Sequence, residues 1–185
     1  MSKETLKKAA LTLFSEKGYD GTALSEIAKR AGIKTPSIYA HFESKEELYL
    51  TIYREVMQEE LANVKAEKRE DYETAEEYLK AFFYAATDFE RDPEVRRFFQ
   101  RSVYYPPVSL KEKMQEEVTR YETQAFEKIA VLLDEVTHDE EKKTRWIRVF
   151  YAFLDGLGVE HELYDLTEFE KRRESAFEAL VLLLN

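Results

Sequence analysis

Helix-start signals recur along this 185-residue chain, and they limit its fold more than any other feature. Residues 44–47 and 74–77 both place a hydroxyl side chain three positions before a glutamate, which is the capping-box pattern. Asp92-Pro93 combines an N-cap acid with a first-turn proline, and another capping pattern begins at Thr167. Apolar residues spaced three and four apart follow each signal, and no segment has the alternation of a strand. The sequence therefore predicts an all-α fold of about nine helices.

Residues 22–49 predict two short helices joined by a tight turn and followed by the start of a longer helix. Thr22 is placed to cap the first short helix, which Gly32 ends. Thr35-Pro36 then opens the second, with threonine as the N-cap and proline at the first helical position. This arrangement is typical of a helix-turn-helix, whose second helix enters the major groove of DNA. We predict a three-helix DNA-binding unit over residues 1–46 and a larger helical domain over residues 47–185.

The charge is distributed unevenly along the chain. The net charge is −10, yet residues 1–45 contain eight Lys/Arg and five Asp/Glu, whereas the remainder contains 20 and 33. A cationic N-terminal segment is compatible with DNA binding because phosphates respond to local charge. The chain has no cysteine and no apolar run near 18 residues, and its N-terminus lacks the pattern of a signal peptide. We therefore expect a cytoplasmic protein without a disulfide or a membrane span.

The candidate DNA-binding residues lie on the predicted second short helix or at the ends of its neighbours. They are Thr22, Lys34, Thr35, Pro36, Ser37, Tyr39, His41 and Lys45. Tyr39 and His41 are suited to donate to phosphate oxygens. Lys45 lies in the first turn of the next helix, where a cation opposes the helix dipole and a phosphate would relieve the conflict.

Each of these residues also has a structural interpretation. Tyr39 is equally suited to cover the three-helix core, and His41 to cap a helix or pack between helices. Lys34 and Lys45 are compatible with ordinary surface lysines. The second short helix has no Arg or Lys of its own, so we expect recognition through hydroxyls, thymine methyl contacts and DNA shape.

The first fifty residues resemble the TetR family of bacterial repressors. The resemblance rests on the ordered series Phe14, Gly18-Tyr19, Thr22, Ile27-Ala28, Ala31-Gly32, Tyr39-Ala40-His41-Phe42, Lys45-Glu46 and Leu48. It implies a ligand-responsive repressor that binds a palindromic operator as a homodimer and is released by a small-molecule effector. The larger domain would then bind the effector and form the dimer.

Aromatic residues are the candidates for an effector pocket, because 20 of the 25 lie after residue 50. Those we assign to the pocket are Phe82, Phe83, Phe89, Phe98, Phe99, Tyr104, Tyr121 and Phe150. Such a pocket would accept an aromatic or hydrophobic molecule. The alternative is ordinary core packing.

The two last predicted helices have apolar stripes and are the candidates for a four-helix dimer interface. The residues assigned to that interface are Trp146, Phe150, Phe153, Leu157, Phe177, Leu180 and Leu184. Gly156 and Gly158 lie inside the first of these helices, where glycine is unfavourable by about 1 kcal/mol relative to alanine. The glycines favour either close helix approach or a kink or break.

Two other classes of protein were considered. Glu135 and His138 form a Glu-x-x-His motif, but a di-iron bundle needs two such motifs and no other histidine has a glutamate at that spacing. We therefore predict no enzyme activity, no metal site and no cofactor. The other alternative is a helical dimer that binds a small molecule or a protein partner without DNA.

Overall fold

The computed structural model describes residues 2–63 and 69–184, apart from the side chains of residues 60–63 and 69. Over those residues the chain forms eight α-helices, one six-residue 3₁₀ helix and two short 3₁₀ turns, with no strand among them. The elements are α1 (Lys3–Lys17), α2 (Leu24–Ala31), the 3₁₀ helix (Thr35–Ala40), α3 (Lys45–Asn63), α4 (Ala75–Ala86), α5 (Pro93–Tyr104), α6 (Lys111–Leu133), α7 (Glu140–Leu163) and α8 (Leu166–Leu182). The predicted all-α fold of about nine helices is confirmed. Our predicted end of the fourth helix, near Lys68, lies outside the described residues.

The described parts of residues 1–59 and 90–120 form one compact unit, and those of 60–89 and 121–185 form another. In the first unit, α1 packs against both α2 and α5. Its fully buried apolar side chains include Leu6, Phe14, Ile27, Ile38, Phe42, Leu48, Tyr53 and Phe98. Ion pairs link its helices, Lys7 to Glu55 at 2.6 Å and Lys17 to Glu26 at 2.5 Å. This core supports the turn between α1 and α2 and the 3₁₀ helix.

The second unit is built from α4, the end of α6, α7 and α8 around an aromatic core. Trp146 stacks on Phe150 with ring centroids 5.4 Å apart, and Phe82 lies 5.2 Å from Phe150. Lys143 is buried beside this core and pairs with two carboxylates. Its hydrogen bond to Asp134 is the largest influence that raises the lysine pKa, so the ammonium stays charged.

Several predicted helix starts are confirmed by their hydrogen bonds. Thr74 and Glu77 form a reciprocal capping box, with both N–H···O distances at 3.1 Å. Asp92 accepts from the Val95 N–H at 3.2 Å, and Ser44 accepts from the Glu47 N–H at 3.0 Å. At these three positions the local sequence was sufficient to predict where the helix begins.

Three predicted caps are wrong by one or two residues. The N-cap of α2 is Ala23 rather than Thr22, and that of the 3₁₀ helix is Lys34 rather than Thr35. The N-cap of α8 is Asp165 rather than Thr167, because the Asp165 carboxylate accepts from the Glu168 N–H at 3.0 Å. In each case a different residue takes the extended backbone conformation of the N-cap.

None of the described helices combines the length and the apolar character that a membrane span requires.

Candidate nucleic-acid interface

A left-handed glycine creates the tight turn between α2 and the 3₁₀ helix. Gly32 has φ +73° and ψ 29°, a conformation that glycine adopts without steric cost. The next N–H, of Ile33, returns to the Ala28 carbonyl at 2.9 Å and closes the end of α2. The chain then leaves in an extended conformation at Lys34. The predicted helix-turn-helix is thus present, with a second helix that is 3₁₀ and six residues long.

The 3₁₀ helix is anchored by one side chain and exposes most of the others. Ile38 is fully buried, and the Phe42 N–H donates to the Ile38 carbonyl at 3.0 Å just after the helix. Five predicted DNA-binding side chains on or beside this helix are exposed and one is half-buried. The exposed ones are Lys34, Pro36, Ser37, Tyr39 and His41, and the half-buried one is Thr35.

Tyr39 is the most informative of the exposed residues. Its side chain is 57% exposed although its neighbour Ile38 is fully buried. Tyr39 therefore does not cover the three-helix core, and its hydroxyl is free to reach a duplex. His41 occupies the C-cap position of the 3₁₀ helix and keeps its ring exposed. The exposure of both rings argues against core packing, and the role of both residues in DNA binding stays a prediction.

Thr22 faces the protein interior, contrary to its assignment as a phosphate contact. Its side chain is 1% exposed, and its hydroxyl donates to the Gly18 carbonyl at 2.7 Å with the Leu13 carbonyl at 3.2 Å. Gly18 is the C-cap of α1, where carbonyls lack partners in their own helix. Thr22 therefore closes α1 and fixes the direction in which α2 begins.

Replacing Thr22 with valine tests this role. Thr22→Val keeps the branched shape but removes the donor, so we expect the free energy of unfolding to fall by about 1–2 kcal/mol in chemical denaturation. Ser25→Ala, on the exposed side of α2, is the control and should change stability little. If the Thr22→Val variant is stable and its DNA binding depends less on salt, the structural role is wrong and Thr22 is a phosphate contact.

The Lys45 side chain is also hydrogen-bonded within the protein. Its ammonium donates to the Tyr19 carbonyl at 2.9 Å and to the Thr22 carbonyl at 3.0 Å, and it lies 4.2 Å from the centroid of the Tyr19 ring. These acceptors, rather than a phosphate, offset the unfavourable position of a cation at the start of α3. Lys45 therefore ties the turn between α1 and α2 to α3, with one N–H left for a further acceptor.

Cations on α2 extend the exposed surface. Lys29 and Arg30 are exposed in the last turn of α2, close in sequence to Lys34. Neither residue is among the candidates predicted from sequence. A count of charges on each face of α2 would have identified both. These exposed cations give the helix-turn-helix the local positive charge that phosphate binding requires.

The predicted pocket residues do not come together as one set. Phe98, Phe99 and Tyr104 belong to the first compact unit, and Tyr104 is exposed. Phe82, Phe83, Phe89, Tyr121 and Phe150 belong to the second. Of these, Phe82, Phe83 and Phe150 are close to one another, with ring centroids 5.2 Å and 6.3 Å from Phe150.

Most residues assigned to the dimer interface lie instead in the core of their own chain. Those buried there are Trp146, Phe150, Leu157, Phe177 and Leu180, whereas Phe153 and Leu184 are half-buried. The sequence-based assignment is wrong for the five buried residues, because a side chain without exposed surface cannot form the main contact with a partner. Helix α7 is unbroken through Gly156 and Gly158, so the interpretation of these glycines as a break is also wrong.

The described fold and site define a class of protein. A helix-turn-helix exposes a short second helix, with cations beside it, on an otherwise acidic helical chain. That arrangement is typical of DNA-binding transcription regulators.

The family then follows from two matches that together cover most of the chain. Residues 6–52 match "Bacterial regulatory proteins, tetR family", and residues 73–185 match "Tetracyclin repressor-like, C-terminal domain". The chain belongs to the TetR family of transcriptional regulators. The resemblance inferred from residues 14–48 is confirmed.

Individual relatives agree with this assignment. The Biofilm operon icaADBC HTH-type negative transcriptional regulator IcaR is 53% identical in Staphylococcus epidermidis and 55% identical in Staphylococcus aureus, in each case over 47 residues. That segment is 25% of this chain and 25% of each relative, so the match spans a quarter of the length of these proteins.

Solved structures share the whole fold. A transcriptional regulator from Aquifex aeolicus is 25% identical with a TM-score of 0.71, covering 98% of both chains. A TetR-family regulator from Streptomyces coelicolor is 19% identical with a TM-score of 0.76, covering 98% of this chain and 93% of the other. The similarity therefore extends through the C-terminal helices, well beyond the 47-residue segment.

Proposed function

We propose that this protein is a repressor that binds a palindromic operator as a homodimer and leaves it when a small-molecule effector binds. The observation that carries the proposal is the exposed 3₁₀ helix at Thr35–Ala40, held on a buried Ile38. TetR-family regulators typically bind operator DNA as dimers and respond to small molecules. Similarity to IcaR, a negative transcriptional regulator, favours repression.

The exposed side chains indicate how the operator is read. Pro36, Ser37 and Tyr39 offer an apolar surface and hydroxyls, and the 3₁₀ helix has no arginine to bind guanine in two places. Sequence preference then comes from thymine methyl contacts, hydroxyl contacts and the shape of the duplex. Lys29, Arg30 and the flanking Lys34 supply attraction to the phosphates that is independent of sequence.

The dimer interface is better placed on the solvent side of α7 than on the residues predicted from sequence. Ala152, Gly156, Val159 and Leu163 follow one another at spacings of four, three and four, so they share one face, and all four are exposed. A Cβ added at Gly156 would meet no atom within 4 Å. An exposed glycine in a helix interior is unfavourable, and close approach by α7 of a second subunit would compensate for it.

The effector site is assigned to the second compact unit. Phe82, Phe83 and Phe150 form an apolar cluster, and α7 adds Tyr151, whose ring is stacked with Phe126 at 6.3 Å. Burial raises the pKa of the Tyr151 hydroxyl to about 12, so it remains a hydrogen-bond donor at neutral pH. An aromatic or hydrophobic effector with an acceptor atom suits these groups. Release from the operator requires that the effector bind the DNA-competent and the released conformations unequally.

Substitution of Tyr39 tests the proposed function. Tyr39→Ala removes the most exposed aromatic side chain of the 3₁₀ helix, so we expect the affinity for the operator to fall by about five- to fiftyfold at constant salt. The measurement is a gel-shift titration with the DNA that flanks the protein's own gene. Thermal unfolding should be unchanged because the side chain supports no core contact.

Two further results separate this function from its alternative. Tyr39→Phe should retain the contact of the ring and lose only the effect of the hydroxyl. A folded Tyr39→Ala variant with unchanged operator affinity would contradict the assignment of Tyr39. If the unmodified protein shifts no nearby promoter even at low salt, the alternative of a helical dimer that acts without DNA is preferred.

A further inference from the structure

Three residues on one face of α5 contact either the end of α1 or Tyr49 of α3. Phe98, Arg101 and Ser102 lie at spacings of three and one, so their side chains project from neighbouring positions on the same side of the helix. All three belong to the first compact unit but lie outside the N-terminal family match of residues 6–52. No property of the local sequence marks them as part of a DNA-binding device.

The first contact is a buried chain of hydrogen bonds. Ser102 Oγ donates to the Phe98 carbonyl at 2.7 Å, which uses its only proton. The Tyr49 hydroxyl, 2.8 Å from Ser102 Oγ, must therefore be the donor in that pair. Burial raises the pKa of Tyr49, so the hydroxyl keeps its proton at neutral pH. Both side chains are buried, so neither has water as a substitute partner.

The second contact is between Arg101 and Gly18. A Cβ added at Gly18 would lie 2.8 Å from Arg101 Nε, so the guanidinium occupies the space that a side chain would need. Gly18 also has φ +73°, which disfavours any other residue. Arg101 Nη1 additionally lies 3.5 Å from the Glu16 carbonyl, at the end of α1. The guanidinium therefore packs against the terminus of α1.

These contacts continue to the start of α2. The Tyr49 ring lies 5.3 Å from Phe98 and 5.1 Å from Tyr19, which itself is covered by the Lys45 ammonium. Lys45 in turn binds the Thr22 carbonyl, one residue before the N-cap of α2. An unbroken series of contacts thus joins α5 to the residue that sets the direction of α2.

We infer that Tyr49, Arg101 and Ser102 are positioning residues for operator binding. They hold the turn between α1 and α2, and with it the helix-turn-helix, in the orientation that fits a specific site, without touching DNA. The inference rests on the proposed operator binding. It adds that part of the determinant of operator affinity lies in α5, outside the segment shared with the curated relatives.

The hydrogen-bond chain permits a graded test. Tyr49→Phe keeps the ring and leaves Ser102 bonded to Phe98, so we expect operator affinity to fall by about two- to fivefold. Ser102→Ala leaves the buried Tyr49 hydroxyl without an acceptor, so the loss should be larger, about five- to thirtyfold. The double variant should return towards the Tyr49→Phe value because the orphaned hydroxyl has been removed. Binding to non-operator DNA should not change in any of them.

The outcome separates positioning from support of the fold. If both folded variants bind the operator as the unmodified protein does, and only their melting temperatures fall, the inference is wrong while the proposed function stands. If the unmodified protein binds no operator, the proposed function itself fails. Tyr49→Phe is mild enough to stay folded and keeps the test decisive if Ser102→Ala does not fold.

Arg101 is tested against a matched arginine of the same helix. Arg101→Gln should lower operator affinity about three- to tenfold and leave the slope of affinity against salt unchanged, because no phosphate contact is lost. Arg97→Gln removes the same charge from an exposed site on α5 and should leave operator affinity nearly unchanged. A slope that falls by about one in Arg101→Gln would show a direct phosphate contact and overturn the positioning role.

Discussion

Lys45→Met should lower operator affinity by about tenfold or more and should also destabilise the first compact unit by about 2–4 kcal/mol. The reason is that the Lys45 ammonium makes two charge-assisted hydrogen bonds, to the Tyr19 and Thr22 carbonyls, in a half-buried position. Methionine preserves the aliphatic stem but leaves both carbonyls without this donor. Chemical denaturation and operator titration over a range of salt concentrations measure the two effects separately.

Lys34→Met is the matched control for this experiment. Lys34 is exposed beside the 3₁₀ helix. Its loss should therefore reduce the slope of log affinity against log salt concentration by about one, without a change in stability. Lys45→Met should instead reduce stability and specific affinity together. A Lys45→Met variant that is as stable as the unmodified protein, with the slope reduced by one, would mean that Lys45 is a simple phosphate contact.

Helix positions could be predicted from the sequence where a single residue offered a cap. Thr74 and Asp92 each precede a helix without a competing acceptor at the right distance, and both were assigned correctly. By its local sequence Thr22 is an equally good N-cap candidate. Its hydroxyl nevertheless donates to the Gly18 carbonyl at the end of α1. A contact with a residue in another helix decided the outcome, and a pattern read along one segment contains no information about it.

The exposed side chains of the 3₁₀ helix were also predictable. Among residues 35–41 only Ile38 is a large aliphatic residue, and it is the one that is fully buried. The positioning residues were not predictable, because Tyr49 and Ser102 are separated by 53 positions along the chain. Only the packing of α5 against the rest of its unit brings them together.

The dimer surface shows a different limit of sequence reasoning. Helix α7 carries two apolar faces, one around Trp146 and Phe150 and the other from Ala152 to Leu163. Periodicity identifies the larger side chains as the more prominent stripe, but these fill the core of the chain. The dimer face that we propose consists of residues that the core leaves exposed, around Gly156.

Gly156→Arg should convert the protein to a monomer and lower operator affinity by about a hundredfold or more, because a monomer reaches only one half-site. The fold of the monomer should survive, since a Cβ at this position meets no atom within 4 Å. Arginine is also a better helix former than glycine by about 0.5–1 kcal/mol, so the stability of the separated subunit should not fall. Sedimentation or light scattering gives the oligomeric state, and operator titration gives the loss of affinity.

Val131→Arg is the control because Val131 is an exposed apolar residue on a different helix, α6, with 68% of its side chain accessible. It introduces the same charge and bulk into the same compact unit, so it should leave the dimer intact. Gly156→Ala should have a much smaller effect on association than arginine, because a single methyl group adds little bulk at a close helix crossing. If Gly156→Arg still sediments as a dimer at micromolar concentration, the face from Ala152 to Leu163 is not the subunit interface, and the exposed glycine needs a different explanation.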